Sequence, residues 1–234
     1  MSLPTSGSTA RAASGGRAII GSAVFLIAYL AVSFADSALS DRSLPLPDAP
    51  AADVAAYYAA NPAAAVAVAL LQAVSVFGFA VFARAVVRTS AAGPSAARRL
   101  TGVSAVSVLA MLVSCALTVV LTIVAASASL DTVQVLRLGS FYAGGVTNVV
   151  TLGIFVFAAA KALAGLVGSP TRWFGYVAGT LAMLSVLSLV FYYASVFLPV
   201  GRVLCMVWTV VAAVVVARSR TVGAGRGPAH PRSA

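Results

Sequence analysis

One repeating length dominates this chain. Six nearly uncharged, apolar runs of about twenty residues follow one another, at about 19–38, 63–83, 102–126, 139–160, 173–194 and 197–217. An α-helix rises about 1.5 Å per residue, so roughly 20 residues cross the roughly 30 Å of hydrocarbon in a bilayer. Strands of a membrane barrel would be about ten residues long with strict alternation, and that period is absent. The runs predict an all-α, polytopic transmembrane bundle of six helices. Composition points the same way: only 9 % of residues are charged and mean hydropathy is +1.03, too little charge to cover a soluble domain of this size.

Charge placement predicts the orientation. With six crossings, one side receives Arg11, Arg17, Arg84, Arg88, Arg98, Arg99, Lys161, Arg172, Arg218, Arg220, Arg226 and Arg232. The other side receives Arg42, Arg137 and Arg202 with all five aspartates, Asp36, Asp41, Asp48, Asp53 and Asp131. Basic residues collect on the cytoplasmic side, so both termini are expected there. Segments 1–18 and 218–234, rich in Ser, Gly, Ala and Arg, are expected as disordered tails. The first run resembles a signal peptide in having basic residues before it and Ser33-Phe34-Ala35 near its end. A signal core is only about 7–15 residues, so an uncleaved helix is expected.

The outer loop 39–62 is the one long connection. Its SLPLPDAP stretch is expected to be extended, and AADVAAYYAANP to form a short surface helix with Asp53 in its first turn. Tyr57 and Tyr58 suit a membrane interface, and Pro62 suits the start of a span. Residues 127–138, with Asp131, Gln134 and Arg137, read as a short loop, and 161–172 as a Gly-rich turn.

Catalytic constellations cannot be assembled. The chain has no Glu, and its one His, His230, lies near the C-terminal end. Zinc hydrolysis needs several His or carboxylate ligands and a base. An aspartyl site needs two aspartates at membrane depth, and no phosphate or dinucleotide fingerprint occurs. No enzyme activity and no cofactor are expected. The net charge of +10 comes without recognition-helix or finger spacing, so no nucleic-acid partner is expected. Cys115 and Cys205 fall inside apolar runs and read as small hydrophobes.

What polarity the spans keep gathers around the fourth. Gly144, Gly145 and Asn148 fall roughly on one helix face, and Gln72 of the second span and Ser114 and Thr118 of the third could complete a polar notch for a small molecule or lipid part. The alternative is structural: the glycines admit a close neighbour and Asn148 bonds to it. Hydroxyls at positions 104, 107, 114, 118 and 122 mark a packing face of the third span, and Gly175 and Gly179 give a small-xxx-small face in the fifth. Asp36 could pair with Arg137 or Arg202 near the outer surface. The alternative there is ordinary snorkelling of exposed cations.

The acidic segment 36–62, the Gly144-Gly145 entry and the aromatic start Arg172-Trp173-Phe174-Gly175 together resemble six-pass actinobacterial integral membrane proteins of the domain-of-unknown-function type. That resemblance implies the six-helix architecture and no particular activity. With the alanine- and arginine-rich composition, it places the chain in a bacterial cytoplasmic membrane. The expected function is non-catalytic: a scaffold, sensor or partner subunit, with membrane lipids, another membrane protein or a second copy as partners. The other reading is a small-molecule or lipid transporter or channel component using the notch. No 3+3 inverted repeat is visible in its support.

Overall fold

The computed structural model describes residues 6–46, 48–89, 93–189 and 196–224, and among these no residue is in a strand. Eight α-helices follow in order: α1 (Ser6–Leu39), α2 (Ala51–Ala60), α3 (Pro62–Thr89), α4 (Pro94–Val124), α5 (Leu130–Ser140), α6 (Asn148–Ala162), α7 (Ser169–Leu184) and α8 (Phe197–Ala224). A π-helical segment, Phe141–Thr147, joins α5 to α6, and a 3₁₀ segment, Ser185–Leu189, extends α7. Six stretches are long and apolar enough to cross a membrane: Gly15–Leu39, Pro62–Thr89, Pro94–Val124, Leu130–Ala162, Ser169–Leu189 and Phe197–Arg218.

The helical backbone outruns the apolar runs. The segment 1–18, expected as a disordered tail, is helical from Ser6, and helix α8 continues through Ala224 into the other expected tail. A helix already nucleated in a span propagates outward at little cost per residue. The expected loop 127–138 is corrected to helix α5. Ser129 caps it by accepting from the Thr132 N–H, and Asp131 lies in its first turn, where a carboxylate favours a helix start. The fourth span therefore begins about nine residues before the apolar run does. Part of the expected fifth span, with Tyr192 and Tyr193, lies outside the described residues.

The spans form a closed circuit. α1 packs on α3, α3 on α4, α4 on α6, α6 on α7, α7 on α8 and α8 back on α1, while α6 also touches α8. The fourth span is accordingly the most buried of the six. Its inward side carries Val149, Leu152, Phe155, Val156, Ala159 and Ala160, all at most 1 % exposed. Phe155 meets Phe79 edge-on at 5.1 Å, and Phe82 meets Trp208 edge-on at 6.4 Å. These aromatics fill the bundle below its α2 end.

Where helices approach most closely, glycine is required. A Cβ at Gly78 would stand 2.6 Å from the Phe25 backbone nitrogen, and one at Gly21 would stand 2.8 Å from the Gly78 carbonyl oxygen. Lipid tails give helices no hydrophobic reason to associate, so such backbone contact supplies the attraction.

Candidate functional site

At the α2 end the circuit opens into a cavity of about 240 Å³. Asp36 contributes from the end of α1, Tyr57 and Tyr58 from α2, Gln72 from α3, Ser114 and Thr118 from α4, and Arg137 and Ser140 from α5. Phe141, Gly144 and Gly145 of the π-helical segment and Arg202 of α8 complete its polar part, while Leu44, Pro45, Val54, Ala65 and Val68 supply apolar lining. Eight of the nine residues singled out from sequence thus line one cavity. Asn148 is the ninth, and it lies just beneath, against a void of about 10 Å³ shared with Gln72 and Arg202.

The floor is knitted by hydroxyls. Ser114 Oγ donates to the Ser140 carbonyl at 2.9 Å, and Thr118 Oγ1 lies 3.0 Å from Ser140 Oγ. Gly144 makes this approach possible, because a Cβ there would overlap Ser114 Oγ at 2.2 Å. The π-helical turn sits at the same place, with the Asn148 N–H reaching back five residues to the Ala143 carbonyl. π-helical segments inside α-helices are frequent at functional sites.

Asn148 does not present its amide to the cavity. Its Nδ2 donates to the Ser107 carbonyl at 2.9 Å and to Ser107 Oγ at 3.0 Å, and its Oδ1 accepts from Arg202 at 3.1 Å. Here the structural reading of this residue describes its contacts. It locks α4 to α6 and orients the arginine.

Both arginines expected near the outer surface are instead buried, at 8 % exposure for Arg137 and 9 % for Arg202. Snorkelling does not describe either. Arg202 donates through Nη2 to the Gly144 carbonyl and to Asn148, and its guanidinium carbon lies 5.5 Å from the Tyr29 ring centroid. Its Nε is buried with no partner among the described residues. Arg137 donates to the carbonyls of Ala49, at 2.9 Å, and Leu46, and so holds the segment that brings Leu44 and Pro45 over the cavity.

Asp36 shares the cavity with both arginines, but its carboxylate receives the Tyr57 hydroxyl at 2.5 Å rather than a guanidinium. Burial, then this hydrogen bond to Asp36, pushes the Tyr57 phenol well above its ordinary range. Tyr58 is raised by burial, against an opposing pull from Arg137. Both phenols therefore stay protonated at neutral pH, and Tyr57 is the one that donates to Asp36. The same corner is fastened by the Asp41 N–H donating to Asn61 Oδ1 at 3.2 Å and by Ser40 Oγ donating to the Asp36 carbonyl at 2.7 Å.

Sequence reading missed Tyr57, Tyr58, Ser140 and the loop residues Leu44 and Pro45 as lining. The tyrosine pair looked like an interface belt, yet Tyr57 is 4 % exposed. The available signal was Arg202: an ionisable residue inside an apolar span points to a site by default. Among the described residues no group of three or more His, Cys, Asp or Glu could hold a metal ion. The donor set is guanidinium, phenol, hydroxyl and amide, suited to holding a polar ligand.

Six apolar spans mark a multi-pass membrane protein, and a partly polar cavity opens at one end of its bundle. Comparison with protein-family models, with curated proteins and with solved structures finds no match.

Proposed function

We propose that this protein is a non-catalytic, ligand-binding protein of a bacterial cytoplasmic membrane, acting as a sensor or partner subunit that holds a small molecule in the cavity at its α2 end. The observation that carries this reading is the buried Arg202 on the wall of a loop-covered cavity. Charged side chains inside spans are costly and are kept where they face a cavity and do something there. At about 240 Å³ the space falls below the roughly 300–1,000 Å³ of drug-sized sites, so the ligand is small.

The α2 end faces outward in this reading and both termini are cytoplasmic, because the opposite end carries the basic connections. The positions of Ser43 and Ser95, both exposed and at opposite ends, give the test of orientation.

Transport is the second reading. In its favour, the fourth span is interrupted by a π-helical turn beside the cavity, as broken helices interrupt transporter spans. Against it, Phe79, Phe82, Phe155 and Trp208, each 0 % exposed, fill the bundle below. Copurification from native membranes with identification of retained small molecules tests the binding reading; loss of a retained solute in Arg202→Gln supports it, and a wild-type protein that retains nothing contradicts it. Uptake by proteoliposomes would favour the transporter instead.

A further inference from the structure

Resting on that ligand-binding reading, we infer that the occupant of the cavity is a small organic monoanion, a carboxylate with a short apolar body, whose charged head pairs with Arg202. Arg202 is nine-tenths buried, and its hydrogen bonds among the described residues go to a backbone carbonyl and a neutral amide. Neither is a counter-ion, and Nε has no acceptor among the described residues. A buried cation is retained where an opposite charge meets it. A planar guanidinium presents a fork of donors that matches a carboxylate or a phosphate.

Charge on the lining sets the valence. Among the described lining groups, Asp36 accepts from Tyr57 and Arg137 donates to carbonyls of the 39–62 segment, so Arg202 is the cation whose charge the ligand meets. One negative charge balances it, whereas a phosphate dianion would add repulsion from Asp36. The apolar members, Leu44, Val54, Ala65 and Val68, have no use for a bare inorganic ion and suit a hydrocarbon body. Arg137 is already committed to the carbonyls of Leu46 and Ala49. It holds the covering segment, and Arg202 is left to meet the ligand.

The test uses the full chain in zwitterionic phosphatidylcholine nanodiscs, titrated by calorimetry and thermal unfolding with acetate, butyrate, hexanoate, butyramide, butylammonium and inorganic phosphate. Butyrate or hexanoate binding in preference to acetate, with butyramide and butylammonium inert, is the expected result. Arg202→Gln is expected to weaken that binding about ten- to hundredfold, the range for a hydrogen bond to a charged group. Should that variant fail to fold, Asp36→Asn decides, because it removes the negative charge that shares the cavity with Arg202. It is expected to tighten carboxylate binding about three- to tenfold.

Equal binding of butyramide, or no response to Asp36→Asn, would overturn the anion assignment while leaving the cavity a binding site. Preference for inorganic phosphate, or stabilisation only in nanodiscs containing phosphatidylglycerol, would overturn it in favour of a phosphate or a lipid headgroup. If no probe of any charge binds, the binding-site reading falls with it.

Discussion

Replacing Asn148 with Leu removes the side chain that fastens three helices together. Its Nδ2 gives two hydrogen bonds to Ser107 of α4, at 2.9 and 3.0 Å, and its Oδ1 takes one from Arg202 of α8 at 3.1 Å. Interhelical hydrogen bonds in membranes average about 0.6 kcal/mol each, so the Ser107 pair contributes about 1.2 kcal/mol. A bond to a charged group contributes about 1.5–3 kcal/mol, and the total is about 3–4 kcal/mol. The leucine nearly conserves volume, so the loss is one of polar contacts rather than of packing. Ser107→Ala keeps the bond to the Ser107 carbonyl and removes the hydroxyl's two bonds, one from Asn148 Nδ2 and one to the Asn148 carbonyl, an expected cost of about 1 kcal/mol. Reversible unfolding in bicelles measures both, and the double variant gives the coupling. A cost below about 1 kcal/mol for Asn148→Leu would mean that these bonds do not hold the helices together, since even the Ser107 pair alone predicts more.

Gly78→Ala is expected to destabilise by about 1–3 kcal/mol in the same assay, because its Cβ would meet backbone at 2.6 Å. Gly102→Ala, with nothing within 4 Å, should instead stabilise by about 0.5–1 kcal/mol. Stability should fall as pH rises above the ordinary tyrosine value of about 10, since an unfolded chain ionises there while Tyr57 and Tyr58, both raised, resist. The Tyr57→Phe, Tyr58→Phe double variant should flatten the phenols' share of that alkaline slope in a pH series of unfolding midpoints. In a background with Cys115 and Cys205 replaced, Ser43→Cys should react with an impermeant maleimide added outside intact cells and Ser95→Cys should not; the reverse pattern would invert the orientation.

The spans were legible because length and hydropathy alone encode them, and the notch because Gly144, Gly145 and the α4 hydroxyls stand out in apolar surroundings. Helix α5 was not legible for the same reason: Asp131, Gln134 and Arg137 look like loop, and only the Ser129 cap and the apolar Leu130, Val133 and Leu136 hint otherwise. The depth of Arg202 was hidden too. It depends on a carbonyl offered by a π-helical turn and on Asn148 being aimed across the bundle, and neither is a property of local sequence. Asp36 could be placed near both arginines, yet its partner is a tyrosine twenty-one residues on, brought there by the fold of the 39–62 segment.

The most direct test of the account is a dipolar-recoupling NMR measurement between a ¹³C-carboxylate-labelled butyrate and ¹⁵N-labelled arginine side chains of the protein in bilayers. Pairing with Arg202 predicts a carboxylate carbon about 4 Å from guanidinium nitrogens, with the dephasing abolished in Arg202→Lys because the labelled guanidinium is gone. Bound butyrate with no such dephasing, or dephasing that survives Arg202→Lys, would contradict it.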